Sequence, residues 1–340
     1  MTAPRRFAAL RAVAGHVPDT VVDNARLDAE LAPVSVAKIA VKTGIDSRRV
    51  VAPGETTADL AVAAAEALFR EQGLERASID FVLLCTQTPD YAMPSTSCLV
   101  QDRLGLRTDV GAFDLGMGCS GYVYGLGAAS ALIDSGQADS VLLLTADTLS
   151  RYVNPSDAPL RTIFGDGASA TLVAASAGSP TFRGFSYGTD GSGARHLIVP
   201  TGGLADGDRL APAASPGARG LESNGHDLFM DGAEVFGFAL RAVPRAIAET
   251  LARADLTLDD IDAVVLHQAN AFMLETLRRK LDLPTEKFVV EMSDVGNTTS
   301  SSIPLALAAA LRTGQVRPGM RLLLVGFGVG LSWGAVVVDL

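Results

Sequence analysis

Short runs of aliphatic residues recur along the chain, and glycine or polar residues bound each run. Continuous apolar runs of roughly four to eight residues are typical of strands that are buried on both faces of a sheet. The pattern predicts strands at FVLLC (81–85), VLLLT (141–145), ATLVAA (170–175), AVVLH (263–267), FVVEM (288–292), RLLLVG (321–326) and AVVVDL (335–340).

Alanine- and leucine-rich stretches of helical length lie between these runs. They predict helices at 57–72, 121–135, 233–254, 271–282 and 303–313. Because buried strands alternate with helices, we expect an α/β fold whose sheets are covered by helices on both faces.

The chain also contains an internal repeat. The matching pairs are SIDFVLLCTQ (78–87) with DIDAVVLHQA (260–269), and AASALIDSGQADSVLLL (128–144) with LALAAALRTGQVRPGMRLLL (305–324). Extending the second register places Cys119 opposite Asn297. Two halves related by a pseudo-twofold axis bring equivalent strand-to-helix turns to a common centre, so we expect Cys119, His267 and Asn297 to meet there.

The repeat divides the chain into an N-terminal half, 1–175, with the candidate nucleophile Cys119, and a C-terminal half, 176–340, with the histidine and asparagine. The stretch 176–230 is rich in Gly, Pro, Ser and Asp, which predicts long loops or a connecting flap. Such loops often wall a substrate channel.

Composition argues against several classes of function. The net charge of −10 argues against a nucleic-acid partner, whose binding depends on neutralising phosphates. No run approaches the roughly 18 apolar residues of a membrane span, and the first residues lack the apolar core of a leader, so we expect a soluble cytoplasmic protein. The three cysteines form no CxxC pair, which disfavours a disulfide framework or a zinc site.

Cys119 stands where an apolar strand turns into a helix. Gly116 and Gly118 precede it, and Gly121 follows it. The glycines allow unusual backbone angles and close approach by a substrate. A thiol at the positive end of a helix is expected to have a lowered pKa. The alternative is that Cys119 is a small buried hydrophobe.

His267 ends an apolar run and suits a base or a hydrogen-bond donor, although a satisfied buried imidazole fits the same pattern. Asn297 lies in SDVGNTTSSSIPLAL, where an asparagine often serves as a helix cap or a left-handed turn residue. The glycine-rich turn VGFGVGLSWG (325–334) suits backbone donors to an oxyanion. A nucleotide-binding loop is excluded there because a strand pattern, not a helix, follows.

These pieces together resemble the β-ketoacyl-ACP synthase III enzymes of the thiolase superfamily. The matching stretches are GCSG around Cys119, RTIFGDGASA (161–170), MDGAEVF (230–236), HQAN (267–270), GNTTSSSIP (296–304) and GFGVGLSWG (326–334). The resemblance implies a five-layered αβαβα thiolase-like fold, a homodimer, and an enzyme of fatty acid biosynthesis or a specialised pathway that needs no metal or other cofactor.

The resemblance also implies a decarboxylating condensation. Cys119 attacks an acyl thioester, and His267 and Asn297 then bind the malonyl-ACP carbonyl as carbon dioxide leaves. The backbone N–H groups of Cys119 and Val329 bind the oxyanion of acyl transfer. Neutral His and Asn donors suit an enolate.

Substrate contacts follow from the same resemblance. They are expected from Asn270 in the pantetheine tunnel, from Met93, which closes the acyl pocket across the dimer, and from Phe327. Lys42 and Phe272 stand where arginines are common. Acyl length and the carrier of the acyl donor, CoA or acyl carrier protein, stay open.

A basic cluster, Arg278, Arg279 and Lys280, is the candidate surface for an acidic acyl carrier protein. A solvated helix C-terminus that complements its own dipole explains the same residues.

Three other functions are considered. An offshoot of the family passes the acyl group from Cys119 to an alcohol or amine without condensation, but decarboxylation is what specifically uses the His–Asn pair. A non-enzymatic partner subunit predicts loss of the cysteine, which is present. A hydroxymethylglutaryl-type synthase needs an acidic base near Cys119, and the neighbouring turns offer no evident glutamate.

Overall fold

The computed structural model describes residues 6–178, 180–205 and 226–340. Its strands are β1 (Phe7–His16), β2 (Thr20–Asp23), β3 (Ser47–Val50), β4 (Phe81–Cys85), β5 (Gly111–Leu115), β6 (Ser140–Asp147), β7 (Gly167–Ser176), β8 (Phe182–Thr189), β9 (Leu197–Ile198), β10 (Phe229–Met230), β11 (Ala263–Leu266), β12 (Arg321–Gly328) and β13 (Ser332–Asp339). Its α-helices are α1 (Asn24–Glu30), α2 (Val36–Thr43), α3 (Thr57–Gln72), α4 (Thr96–Arg103), α5 (Gly121–Asp134), α6 (Ala158–Arg161), α7 (Gly232–Ala254), α8 (Ala271–Lys280) and α9 (Ser302–Thr313).

Two sheets form the frame of the described residues. The first has the order β1-β7-β6-β4-β5, and β4 runs parallel to both β5 and β6. The second has the order β11-β12-β13-β8, and β11 runs parallel to β12. Since ligands of such sheets bind beyond the carboxyl ends of parallel strands, the turns after β5 and β11 are the places to look for chemistry.

The sheets and helices stack in five layers. One apolar cluster joins the facing sides of the two sheets through α5 and α9, which form the middle layer. A second cluster packs α3 and α4 on the outer face of the first sheet, and a third packs α7 and α8 on the outer face of the second sheet. The predicted αβαβα arrangement, with sheets covered on both faces, is confirmed.

Local signals in the sequence explain where the long outer helices begin. At α3, the Thr56 hydroxyl accepts from the N–H of Asp59, and the Asp59 carboxylate accepts from the N–H of Thr56. At α7, the Asp231 carboxylate in the MDGAEVF motif accepts from the N–H groups of Ala233 and Glu234. These caps satisfy donors that the first helical turn leaves unpaired.

The two halves repeat the same contacts at matched positions. The N–H of Asp80 donates to the carbonyl of Ser140, and the N–H of Asp262 donates to the carbonyl of Arg321. Each aspartate carboxylate accepts the return bond, at 3.0 Å from Ser140 and at 2.7 Å from Arg321. This equivalence supports the division at 175/176, which stays a prediction.

Six of the predicted strands and all five predicted helices are confirmed, with ends that differ by three residues or fewer. The strand predicted at 288–292 is wrong, because the structure has only an isolated bridge there, between Val264 and Phe288. The side chain of Gln268 occupies the position of a ladder partner. Its Oε1 accepts from the N–H of Glu291 at 2.8 Å, and its Nε2 donates to the carbonyl of Val289 at 3.4 Å.

The loop-rich stretch predicted at 176–230 is wrong in part, because it contains β8. This strand pairs antiparallel with β13 and completes the second sheet. Glycines at 184 and 188 interrupt the apolar pattern of the strand. Both pack against other elements, Gly184 against the α7 backbone and Gly188 against Trp333. Residues 179 and 206–225 of the predicted connection lie outside the described residues.

Within 6–178, 180–205 and 226–340, no helix has the length and apolar character to cross a bilayer.

Candidate active site

Cys119 lies in the turn between β5 and α5, one residue before the helix cap Ser120. The Ser120 hydroxyl does not cap the helix, because it pairs with the hydroxyl of Ser332 in β13 at 2.8 Å. A Cβ on Gly328, the last residue of β12, would lie 2.9 Å from the Cys119 sulfur. The end of β12 therefore packs directly against the thiol, and a larger residue at 328 would displace it.

Two of the three glycines around Cys119 act through close approach, and the unusual backbone angles that were predicted for them are not of the left-handed kind. Gly116, Gly118 and Gly121 have no left-handed backbone conformation. A Cβ on Gly121 would overlap the Cys85 sulfur, and one on Gly118 would overlap the Gln87 side chain. Nothing lies near a Cβ on Gly116.

The prediction of a lowered thiol pKa was wrong. Burial, together with the nearby Asp147 carboxylate, raises the pKa of Cys119 to about 12. Hydrogen bonds from the backbone N–H groups of Val329 and of Cys119 itself act in the opposite direction. In the free protein the thiol is therefore neutral, with two backbone donors beside the sulfur.

His267 follows β11, and its N–H donates to the carbonyl of Val325 in β12 at 2.8 Å. The imidazole is 2% exposed, and Phe327 meets it edge to face with ring centroids 5.5 Å apart. Its Nδ1 lies 2.6 Å from the hydroxyl of Ser302, the first residue of α9. Burial lowers the pKa of His267 to about 3, so the ring is neutral at physiological pH.

Asn297 is held so that its amide nitrogen faces the imidazole. Its Oδ1 accepts from the N–H of Thr299 at 3.0 Å, and its Nδ2 lies 3.4 Å from His267 Nε2. Thr299 adopts a φ of 56°, which is strained for a β-branched residue, and strain of this kind concentrates at functional sites.

The carboxyl end of β12 joins the two halves of the site. Gly328 packs against Cys119, and its neighbour Phe327 packs against His267, whose Nε2 faces the amide of Asn297. The structure therefore brings His267 and Asn297 into direct contact and places Cys119 across the same strand end.

Asp147, at the end of β6, is a buried carboxylate beside this site that the sequence analysis missed. It accepts from the Ser300 hydroxyl at 2.5 Å, from the Ser300 N–H at 3.2 Å and from the Gln87 N–H at 2.8 Å. Burial raises its pKa to about 7, against the lowering effect of Ser300. The sequence offers one signal for Asp147, which is the single acidic residue at the end of the apolar run SVLLLTAD.

These pKa shifts predict how Cys119 alkylation depends on pH. Because the thiol pKa is near 12, the rate with iodoacetamide should keep rising from pH 7 to 10 without a plateau, and the rise should approach about tenfold per pH unit once Asp147 is fully ionised. Above pH 7 Asp147 is ionised and disfavours the thiolate, so Asp147→Asn should react roughly threefold to tenfold faster at pH 9. Mass spectrometry of the Cys119 peptide measures the rate without interference from the exposed Cys98.

Asp109→Asn, which removes an exposed carboxylate, is the control and should leave the rate unchanged. A plateau below pH 9 in the wild-type protein contradicts a buried neutral thiol.

A cavity of about 430 Å³ lies near the Cys119 turn, although none of the three candidate catalytic residues lines it. Its wall includes Gln87 and Val329, which both contact the Gly118 position next to the cysteine. Aliphatic walls come from Leu149, Leu197, Ile198, Val199 and Leu228. Tyr152, Thr201 and His226 add polar groups to the wall, so the size and lining suit a small group with both apolar and polar contacts. A larger groove, of about 800 Å³, is lined mainly by β1, α9 and residues 290–295 and contains none of the three candidate catalytic residues.

The predicted substrate residues have different environments. Asn270 caps α8 through its Oδ1, which accepts from the N–H of Met273 at 2.9 Å. Phe272 is 57% exposed and stacks on Phe236, and Lys42 is exposed at the end of α2.

The other two predicted substrate residues differ strongly in burial. Met93 is 82% exposed in this chain, whereas Phe327 is 1% exposed against His267. Direct substrate contact by any of the five stays a prediction.

A single acidic residue, Glu275, pairs with two members of the basic cluster at the end of α8, so the cluster keeps a net positive charge. Glu275 accepts from Arg278 at 2.8 Å and from Arg279 at 2.5 Å, and these two bonds hold the pKa of Glu275 well below its usual range. Arg278 also donates to the carbonyl of Leu283. Lys280 ends the helix beside them. Contact of the three residues with a carrier protein stays a prediction.

Two family models match the chain. The model of 3-oxoacyl-[acyl-carrier-protein (ACP)] synthase III matches residues 113–191, which include Cys119. The model of the 3-oxoacyl-[acyl-carrier-protein (ACP)] synthase III C terminal matches residues 251–340, which include His267 and Asn297.

Individual proteins are similar over nearly the whole chain. The beta-ketoacyl-[acyl-carrier-protein] synthase III 2 of Streptomyces coelicolor is 40% identical over 98% of this chain and 94% of its own. A crystal structure of a 3-oxoacyl-(acyl-carrier-protein) synthase III superposes with a TM-score of 0.92, at 47% identity over 98% of this chain and all of the other. The corresponding synthase of Pseudomonas aeruginosa gives a TM-score of 0.87 at 36% identity, over 98% of each chain.

Proposed function

This chain belongs to the 3-oxoacyl-[acyl-carrier-protein] synthase III family of condensing enzymes, and on that premise we propose that Cys119, His267 and Asn297 carry out its reaction. The observation that carries the proposal is the pair of neutral nitrogen groups, His267 Nε2 and Asn297 Nδ2, 3.4 Å apart across β12 from a buried cysteine.

In the first step Cys119 takes the acyl group from an acyl thioester. Its sulfur forms a bond to the acyl carbon, the bond to the carrier sulfur breaks, and the thiol proton ends on the departing carrier thiol. The backbone N–H groups of Cys119 and Val329, which hydrogen-bond to the sulfur, are placed to stabilise the oxyanion of this step. Because the thiol is neutral in the free protein, proton loss accompanies the attack.

In the second step a malonyl thioester, carried by an acyl carrier protein, loses carbon dioxide. The electron pair of the breaking carbon–carbon bond moves into the thioester carbonyl and forms an enolate oxygen. His267 and Asn297 donate hydrogen bonds to that oxygen, and the enolate carbon then attacks the acyl group on Cys119. The bond between the acyl carbon and the Cys119 sulfur breaks, and the departing thiolate takes up one proton from water. The products are a 3-oxoacyl thioester and the free cysteine, so the enzyme acts as an acyltransferase.

The cavity near the Cys119 turn is the proposed acyl pocket. Its volume of about 430 Å³ and its aliphatic walls favour a short or branched acyl chain over a charged one.

A homodimer is supported by β5, a strand that forms one edge of the first sheet, and by the neighbouring Phe113, Tyr91 and Met93, which are exposed in the single chain. In such a dimer, Met93 of each chain closes the pocket of the other. Sedimentation velocity tests the dimer directly, and a species with the mass of one chain excludes it.

The proposed entrance for the carrier arm lies where α2 meets α8. Gly44, at the end of α2, packs against Ala271, the first residue of α8, and Lys42, Asn270 and Phe272 are the proposed lining of this entrance. The exposed Phe272 stacks on the half-buried Phe236, which gives this entrance an aromatic surface.

A two-stage assay tests the proposal. The protein is incubated with a panel of acyl-CoA and acyl carrier protein thioesters, and malonyl-ACP is then added. We expect a covalent acyl adduct, followed by release of carbon dioxide and a 3-oxoacyl product. An adduct that malonyl-ACP leaves untouched, while an alcohol or amine discharges it, contradicts the condensation.

A further inference from the structure

Ser302 contacts the candidate catalytic histidine from the side away from Asn297. Its hydroxyl lies 2.6 Å from His267 Nδ1, and the serine is 3% exposed. The separation is short for a neutral hydrogen bond, and burial of both residues excludes exchange with bulk water. Which of the two atoms donates decides where the imidazole proton resides.

The other contacts of Ser302 favour one direction. Its oxygen already accepts from the backbone N–H of Gln268 at 3.3 Å. Within the described residues, His267 Nδ1 is the acceptor that remains for the hydroxyl proton. If Nδ1 carried the proton instead, the hydroxyl hydrogen would be buried without an acceptor, which costs about 1–3 kcal/mol.

The opposite side of the ring constrains the tautomer less, because the contact there is longer than an ordinary N–H hydrogen bond, whereas the Ser302 contact is short. The N–H of Thr299 occupies Asn297 Oδ1, so the amide nitrogen Nδ2 faces Nε2 at 3.4 Å. With Nδ1 as the acceptor, Nε2 carries the proton, and both facing nitrogens are donors. Two adjacent donors can bind one acceptor that lies between them, and an enolate oxygen is such an acceptor.

We propose that Ser302 is a positioning residue that donates to His267 Nδ1 and thereby holds the ring in the Nε2–H tautomer needed to stabilise the enolate. The proposal rests on the function proposed for His267 and Asn297. Burial keeps the imidazole neutral, so the tautomer and not a positive charge determines whether Nε2 donates.

Two measurements test it. Nitrogen-15 NMR of histidine-labelled protein reports the tautomer of each of the four histidines, and the signals lost in His267→Ala identify that ring. The wild type should show Nε2 protonated and Nδ1 unprotonated. This measurement requires no substrate, so it tests the tautomer even if the proposed condensation fails.

Kinetics of Ser302→Ala provide the second test. The variant should slow malonyl decarboxylation about tenfold to hundredfold, should leave acylation of Cys119 unchanged and should show a mixed tautomer. Ser302→Thr, which keeps the hydroxyl, should restore the rate. Ser301→Ala is the matched control, because that buried hydroxyl bonds Thr145 and Gly167 and has no bond to His267.

Any of three results overturns the proposal. The first is an Nδ1–H signal for His267 in the wild type. The second is a Ser302→Ala variant with unchanged tautomer and decarboxylation. The third is equal loss of acylation and decarboxylation in Ser302→Ala, or the same loss in Ser301→Ala, since both indicate a structural effect.

Discussion

Cys119→Ala should abolish the acyl-enzyme and lower the condensation rate by at least about a thousandfold. The substitution removes the sulfur that forms the covalent bond, and loss of a catalytic nucleophile costs several orders of magnitude in other enzymes. Alanine fits the space of the buried thiol, so the fold should be retained. Intact-protein mass spectrometry with an acyl thioester measures the adduct, and product formation measures the condensation.

Cys98→Ala is the control for this prediction, because it removes an exposed cysteine and should keep both adduct and product. An adduct that persists in Cys119→Ala and disappears in another cysteine variant contradicts the assignment of the nucleophile.

His267→Ala should lower malonyl decarboxylation by about a hundredfold to a thousandfold, which is the usual cost of removing one donor to an oxyanion. Asn297→Ala should have a similar effect because its Nδ2 is the second donor. Acylation of Cys119 should be largely spared, since that step uses the backbone donors of Cys119 and Val329. Single-turnover acylation and release of labelled carbon dioxide separate the two steps.

Because both donors act on one oxygen, the double variant should be less defective than the product of the two single losses. His16→Ala is the matched histidine control and should leave both steps unchanged. Equal loss of acylation and decarboxylation in His267→Ala and Asn297→Ala contradicts the proposed division of labour.

Strand positions were predictable wherever a continuous apolar run lies inside a sheet, as at β4, β6 and β12. The pattern failed at 288–292, because a side chain, Gln268, takes the place of a strand partner there. It also failed at β8, because the glycines of that strand make room for α7 and Trp333, and such contacts are not visible in a local pattern.

Prediction of the candidate site has the same limit, because a local pattern does not show contacts between distant elements. Cys119, His267 and Asn297 were predictable because each follows a recognisable run and matches a family motif. Asp147 and Ser302 were not, because their effect depends on contacts between elements more than 30 residues apart in the chain. The thiol pKa was mispredicted because burial outweighs the helix terminus, and a sequence does not show how deeply a turn is buried.

Condensation through an acyl-Cys119 intermediate is tested most directly by following one acyl group through the protein. Purified acyl-enzyme is digested, the acylated peptide is sequenced, and a second portion receives malonyl-ACP with carbon dioxide and product measured together. We expect an adduct on Cys119 that disappears at the same rate as one carbon dioxide and one 3-oxoacyl thioester appear. An adduct on another residue, or carbon dioxide release without loss of the adduct, contradicts it.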